Sequence, residues 1–218
     1  MSLDKCRSAA LKINAGKQAG RHALPQEEIN TLLARHAMAG RRVVRLKGGD
    51  PFIFGRGGEE MMALRRRGIQ VEIIPGVTAA SACAAATGIP LTQRGLASEV
   101  SIITAHHQEG GEGCDWAQLA ARRDRTLVFY MGLSQAASIA HGLMRHGLAG
   151  DTPVALISNG ATSRQLAVRC TLSRLPESAQ HEALISPCLI VVGSVVELAC
   201  PHRVTQALPD YEASQWVA

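Results

Sequence analysis

A glycine-rich loop between a strand-like segment and a helix-like segment constrains this chain most. The β-branched run Arg42–Leu46 predicts a strand, the loop Lys47–Gly58 combines several glycines with Asp50, and Glu59–Arg67 resumes helical periodicity. Glycines let a backbone approach a ligand closely, and α/β sheets bind ligands at the carboxyl ends of their strands. The loop matches neither of the standard phosphate-binding glycine patterns, so a plain tight turn stays open as an alternative.

The segments around this loop predict an α/β fold. A helix is expected from Pro25 to near Gly40, because proline suits a first helical turn and glycine a helix end. After Gly68, the run Ile69–Pro75 predicts a second strand, and the helix that follows has Thr78 or Ser81 near its start. Strand, loop and helix in repetition are typical of a parallel sheet.

A charged, glycine-rich segment after the predicted strand Ser98–Ala105 predicts a domain boundary. It separates an N-terminal α/β lobe, residues 1–107, from a C-terminal α/β lobe, residues 113–218. We expect a cleft between the two lobes and an antiparallel element in the second. The second lobe is predicted to contain strands at 126–131, 152–158 and 188–193, a helix at 134–146, a turn at Asn159-Gly160 and an extended segment at 164–170.

Composition narrows the classes of protein. The hydrophobic content of 46% supports a real core, and the sequence has neither a long uncharged apolar run nor a signal-peptide pattern, so we expect a soluble, cytoplasmic protein. The net charge of +5 is compatible with an anionic ligand, whereas 3% aromatic residues argue against a single-strand nucleic-acid surface. The six cysteines form no C-x-x-C pair, which argues against a zinc knuckle and a disulfide framework. The adjacent His106 and His107 are not expected to share a metal, because neighbouring side chains of an extended segment diverge.

The loop with its flanks, V-V-R-L-K-G-G-D-P-F-I-F-G-R-G-G-E-E, resembles the signature of uroporphyrinogen III C-methyltransferases, members of the tetrapyrrole methylase family. The resemblance covers nearly everything from Gly16 to Leu198. It runs through G-K-Q-A-G-R-H-A-L-P-Q-E-E-I-N, P-G-V-T-A-A-S-A-C-A-A-A-T-G-I-P-L-T-Q-R-G, F-Y-M-G-L, N-G-A-T-S-R-Q and S-P-C-L-I-V-V-G.

The resemblance implies a two-lobe tetrapyrrole methylase fold, a homodimer and a cofactor cleft between the lobes. It implies that S-adenosylmethionine methylates uroporphyrinogen III at two ring carbons, which leaves S-adenosylhomocysteine and gives precorrin-2 for sirohaem, cobalamin or haem d1. No metal, nucleic acid or membrane is expected to take part.

The resemblance also assigns roles residue by residue. Lys17 matches a proton donor, and Arg56 is a candidate for assisting proton removal. Arg56, Glu59 and Arg94 match substrate-contacting positions. The matched cofactor contacts are Gly48, Gly49, Asp50, Ile53, Thr78, Ala79, Met131 and Gly160.

The sequence departs from the family pattern at its start. Family members usually begin with a strand ending in a G-x-G-P-G-D loop, followed by a helix and an aspartate-bearing second strand, and residues 1–15 contain none of these. That loop normally closes over the cofactor, and that aspartate is the usual proton acceptor. We therefore expect weak or absent methyl transfer by this chain.

Several alternatives stay open at this point. Thr78 also suits a helix N-cap, and Met131 also suits a core position. Asn159-Gly160 is also compatible with a plain hairpin turn, and Lys17 with a solvated loop. Another tetrapyrrole methylase, such as a precorrin-4-type enzyme, has the same fold. A catalytically inactive binding or scaffold protein, and a nucleic-acid binder suggested by charge alone, are the readings from other classes.

Overall fold

The chain divides into two compact units, residues 1–76 and 77–218. The computed structural model describes residues 6–15, 24–105, 113–181 and 183–206. In the part of the chain that it describes, no helix is both long and apolar enough to cross a bilayer. The predicted lobe boundary falls on residues 106–112, outside the described ranges, and stays a prediction.

Two helices form the core of the first unit. Helix α1, Gln26–Met38, follows Pro25, carries two glutamates in its first turn and ends before Gly40, whose φ of 74° only glycine adopts readily. Helix α2, Gly57–Arg65, ends in a turn closed at Gly68, which has a φ of 72°. Ile29, Leu33 and Ala34 of α1 are buried against Leu64 of α2, so the predicted helical periodicity is confirmed for both.

The first unit does not form the two predicted strands, Arg42–Leu46 and Ile69–Pro75. The expected parallel sheet is therefore wrong for the described residues of this unit. Ile69 and Val71 pack against the α1–α2 cluster. Val44 is 78% exposed and Ile74 is 70% exposed. Side-chain patterning marks these segments as strand-like, but a strand exists only when a neighbouring segment completes its ladder of backbone hydrogen bonds.

A six-stranded mixed sheet organises the second unit, in the order β1-β2-β5-β3-β4-β6. The β1–β2 and β4–β6 pairs are parallel, and the β2–β5, β5–β3 and β3–β4 pairs are antiparallel. The antiparallel element and every strand predicted for this part of the chain are confirmed, as is the strand near residue 100. The strands are β1 Glu99–Thr104, β2 Arg125–Tyr130, β3 Pro153–Ser158, β4 Leu166–Thr171, β5 Cys188–Val192 and β6 Thr205–Gln206.

Helices cover both faces of this sheet. Alternate residues of the central strands point to opposite sides, as the period of two requires: Phe129 and Leu156 pack with α5, whereas Val128 and Ile157 pack with α3. Each face therefore has its own apolar cluster. The helices of this unit are α3 Ala79–Thr87, α4 Trp116–Ala120, α5 Ala136–Arg145 and α6 Leu175–Ser178, with 3₁₀ turns at Leu133–Gln135, Leu172–Arg174 and Ser194–Leu198.

Candidate functional site

The glycine-rich loop of the first unit is folded tightly around Pro51. The amide of Gly57 donates a hydrogen bond of 2.9 Å to the Pro51 carbonyl, and a Cβ at Gly55 would lie only 2.8 Å from the same oxygen. Gly49 has a φ of 93°, and a Cβ at Gly48 would meet no heavy atom within 4 Å. Glycine is thus required at some positions by crowding, while Gly48 presents an open backbone that a ligand can approach.

The side chain of Asp50 ties this loop to the end of the segment that follows α2. Its two carboxylate oxygens accept hydrogen bonds from the amides of Phe52, at 2.8 Å, and Gly76, at 3.0 Å. These bonds, that from Gly76 first, hold the pKa of Asp50 below its ordinary value, because they favour the ionised form. Asp50 therefore shapes the loop that contains the predicted cofactor residues.

Arg56 and Glu59 form a bidentate ion pair on the surface. Arg56 Nε donates to Glu59 Oε1 at 2.9 Å and Nη2 donates to Oε2 at 2.6 Å, and both side chains are about half exposed. The hydrogen bond raises the pKa of Arg56 and lowers the pKa of Glu59. A guanidinium held in its charged form suits the binding of a carboxylate better than the removal of a proton.

Glu60 is a buried carboxylate that the sequence analysis missed. It is 5% exposed and accepts hydrogen bonds from Lys47 Nζ at 3.0 Å, Arg45 Nε at 3.3 Å and Gln26 Nε2 at 3.2 Å. One carboxylate thus connects α1, α2 and the start of the glycine-rich loop. The only signal in the sequence is helical geometry, which turns Glu60 about 100° away from its exposed neighbour Glu59.

In the second unit, the first turn of α3 is held by the end of β2. The hydroxyl of Tyr130 lies 2.6 Å from Thr78 Oγ1 and accepts a hydrogen bond of 2.7 Å from the amide of Ala80. Thr78 stands at the N-cap position, as predicted, but its side chain makes no capping hydrogen bond. The distant Tyr130 supplies that acceptor instead.

Gly160 is brought against the same helix. It follows β3, and the side chain of Cys83, on α3, fills the space in which a Cβ at residue 160 would lie. Within the second unit, therefore, three of the four predicted cofactor residues lie on or against α3: Thr78 and Ala79 at its start and Gly160 beside its second turn. The fourth, Met131, directly follows the Tyr130 that contacts the helix.

Left-handed backbone marks the predicted site loops. Every non-glycine residue with a positive φ in the described ranges lies in one of three motifs from the sequence analysis. Such conformations cost free energy and collect at functional sites. They are Phe54 at 51° and Arg56 at 58° in the glycine-rich loop, Met131 at 54° after β2, and Asn159 at 48° and Ala161 at 58° on either side of Gly160.

The remaining predicted residues are placed as follows. Ile53 is 37% exposed, and Arg94 is exposed in a tight turn closed by mutual backbone hydrogen bonds between Gln93 and Ala97. Lys17 lies outside the described residues, as do His106 and His107. Among the residues that the structure does describe, no three His, Cys, Asp or Glu side chains are grouped so that they would hold a metal ion.

Comparisons with known proteins find similar sequences. Residues 3–176 match the tetrapyrrole (corrin/porphyrin) methylases. A siroheme synthase of Edwardsiella ictaluri is 55% identical over 192 residues, which are 88% of this chain and 41% of that protein. The chain thus spans about two fifths of the length of that relative.

Two solved structures are similar as well. The uroporphyrin-III C-methyltransferase of Thermus thermophilus, complexed with S-adenosylhomocysteine, is 40% identical with a TM-score of 0.68, and the match covers 79% of this chain and 75% of that one. A cobalt precorrin-4 methyltransferase is 26% identical with a TM-score of 0.71, covering 82% and 73%. The match over residues 3–176 and the identity to these relatives show that this chain belongs to the tetrapyrrole methylase family.

Proposed function

We propose that this chain takes part in the transfer of methyl groups from S-adenosylmethionine to uroporphyrinogen III, giving precorrin-2. The observation that carries the proposal is the 40% identity to a uroporphyrin-III C-methyltransferase whose structure holds S-adenosylhomocysteine. The 55% identity to a siroheme synthase supports the same reaction. The precorrin-4 methyltransferase supports it less, because its fold is as similar but its identity is 26%.

The proposed cofactor contacts come from sequence motifs in each unit. In the second unit, the cofactor contacts are Thr78, Ala79, Met131 and Gly160, where the absence of a side chain at Gly160 lets the hairpin approach α3. In the first unit they are Gly48, Gly49, Asp50 and Ile53, with an open backbone at Gly48. When bound, S-adenosylmethionine supplies a methyl group already activated for displacement. The protein then has to orient the reactants and exclude water, for which a shaped backbone is suited.

The substrate is an electron-rich macrocycle that carries many carboxylates. Arg56, held in its charged form by Glu59, and the exposed Arg94 are assigned to these carboxylates. Arginine binds them through two parallel hydrogen bonds, which fixes orientation as well as position. Lys17 is assigned as a proton donor from the motif alone.

Product analysis tests this function. The chain is incubated with S-adenosylmethionine carrying a labelled methyl group and with uroporphyrinogen III, and the product is followed by mass and absorbance. Two added methyl groups and the precorrin-2 spectrum support the proposal. Methylation of a later ring carbon, or only of a more methylated precorrin, would assign the chain to the precorrin-4 type.

Calorimetry with S-adenosylhomocysteine separates the remaining possibilities. Binding without any methyl transfer would identify a catalytically inactive binding protein of the same fold. No binding and no transfer would refute the function altogether. Arg65→Gln serves as a control variant, because it removes an arginine on the exposed last turn of α2, outside the proposed site. It is expected to bind and react like the unchanged chain.

We further propose that the protein acts as a cytoplasmic homodimer without a metal. The sequence motifs that resemble the C-methyltransferases imply the dimer and the metal-free reaction, and the absence of a signal-peptide pattern in the given sequence is compatible with the location. Sedimentation velocity tests the dimer, and unchanged turnover after treatment with a chelator tests the independence from metal. Fractionation of cells that express the untagged protein tests the location.

A further inference from the structure

The hydroxyl of Tyr130 takes the part that an N-cap side chain usually plays for α3. The first amides of a helix have no partner within the helix, and the residue at the N-cap commonly provides one. Here that residue is Thr78, yet the acceptor for the amide of Ala80 is the Tyr130 hydroxyl, at 2.7 Å. The bond joins residues 50 positions apart in the sequence.

This arrangement leaves Thr78 oriented by a neighbour instead of by its own helix. The Thr78 and Tyr130 hydroxyl oxygens are 2.6 Å apart. A hydroxyl has one proton to donate and two lone pairs that accept, so one hydrogen bond to Tyr130 leaves Thr78 with capacity for a further contact. The rotamer of Thr78 is thereby fixed while its oxygen stays able to meet a ligand.

Tyr130 is itself held rigidly. It is the last residue of β2, where it pairs in parallel register with Thr104, and its carbonyl accepts a hydrogen bond of 2.9 Å from the amide of Ala105. The next residue, Met131, has a left-handed backbone with a φ of 54°. Tyr130 therefore joins the end of β2 and the turn at Met131, through its backbone, to the start of α3, through its hydroxyl.

We propose that Tyr130 is a positioning residue for cofactor binding, acting through Thr78, Ala79 and the backbone at Met131. The inference rests on the proposed function, since those three residues are its cofactor contacts. In this inference the Tyr130 side chain places the N-terminus of α3 relative to the C-terminal end of β2, and Tyr130 also belongs to the strand itself.

The test measures the affinity of the full chain for S-adenosylhomocysteine by calorimetry. Tyr130→Phe removes the hydroxyl and with it the contacts to Thr78 and to the amide of Ala80, and we expect the dissociation constant to rise about tenfold. In steady-state assays the KM for S-adenosylmethionine should rise while kcat at saturation changes little, which separates positioning from chemistry.

A double-mutant cycle distinguishes positioning from a general loosening of the fold. If Tyr130 acts through Thr78, adding Tyr130→Phe to Thr78→Val costs clearly less affinity than Tyr130→Phe costs alone. The matched control is Thr87→Val, at the C-terminal end of α3. It removes a buried hydroxyl that donates a hydrogen bond of 2.7 Å to the Cys83 carbonyl. It should lower thermal stability and leave the affinity unchanged.

Each outcome decides the matter. Affinity of Tyr130→Phe within twofold of the unchanged chain, fully additive losses in the cycle, or an equal loss in Thr87→Val would overturn the inference while leaving the proposed function in place. Failure of the unchanged chain to bind S-adenosylhomocysteine would refute the proposed function and this inference with it.

Discussion

The sulfur of Cys83 occupies the space beside Gly160 that any larger residue would need. Cys83 lies on α3 and Gly160 in the turn after β3, so the contact fixes the distance between a helix and a hairpin. Ile157 closes the site from another side, with its Cγ2 3.1 Å from the position of an added Cβ. The glycine of the N-G-A motif therefore has a packing role in addition to its proposed contact with the cofactor.

Gly160→Ala is expected to lower the free energy of unfolding by about 1–3 kcal/mol, because the new methyl group is forced onto Cys83 and Ile157. Denaturant unfolding followed by circular dichroism measures the change. Adding Cys83→Ala should recover part of the loss, since it removes the clashing sulfur. Gly58→Ala is the control: this position in α2 is open, and alanine there should stabilise by up to about 1 kcal/mol. Equal effects of the two alanines would contradict the packing role.

Glu60→Gln is expected to destabilise the first unit by about 2 kcal/mol, because it leaves Lys47 and Arg45 without the carboxylate that both approach. The penalty is set below that of a fully buried pair, since the Arg45 side chain is 30% exposed. The neighbouring Glu59→Gln breaks an exposed pair and should cost less than about 1 kcal/mol. Thermal unfolding of both variants makes the comparison. If Glu59→Gln lowered the stability more than Glu60→Gln does, burial of the carboxylate would not be what decides the size of the loss.

Arg56→Gln is expected to raise the KM for uroporphyrinogen III by roughly 10–100-fold, the range that a lost charge-assisted hydrogen bond gives. Stability should change by less than about 1 kcal/mol, because the pair with Glu59 is exposed. Initial rates over a range of substrate concentrations give both kinetic constants. A fall confined to kcat would instead favour the assistance to proton removal, and unchanged constants would remove Arg56 from the site.

Burial raises the pKa of Cys83 to about 11 and the pKa of Cys188 to about 12. The unfolded thiols ionise near 9.0, so burial of the two neutral thiols contributes fully to stability below pH 9, and this contribution is lost as the pH rises through about 11 for Cys83 and about 12 for Cys188. We expect the free energy of unfolding to fall across that window, and to fall less steeply in Cys83→Ala.

Thiol labelling gives a second check on the same residues. At pH 8 the exposed Cys6 should react rapidly with a disulfide reagent, while Cys83 and Cys188 react only after denaturation, because both are buried and protonated. Rapid labelling of Cys83 in the folded chain would show that α3 opens readily.

The secondary structure of the second unit was predictable because its central strands find their pairing partners among the described residues. Strands such as β2 and β3 alternate between two covered faces, and each has partners on both sides. The run Arg42–Leu46 has the same β-branched character, but no described segment pairs with it. Sequence patterning reports what a side chain prefers, whereas pairing depends on what lies next to it.

The site shows the same limit at the level of single contacts. Thr78 was recognisable as an N-cap from its position before an alanine-rich helix. The acceptor that replaces its side chain, Tyr130, lies 50 residues away and carries no local signal. Glu60 was missed for a related reason: only folding shows which of two adjacent glutamates meets Lys47.

The strained turns around Ile53, Met131 and Gly160 have a thermodynamic consequence for recognition. The folded chain has already met the conformational cost of Phe54, Arg56, Met131, Asn159 and Ala161 before any ligand arrives. A small molecule that docks against such ready-made turns loses little entropy in shaping them. A ligand that uses these turns should therefore bind more tightly than it would if they became ordered only on binding.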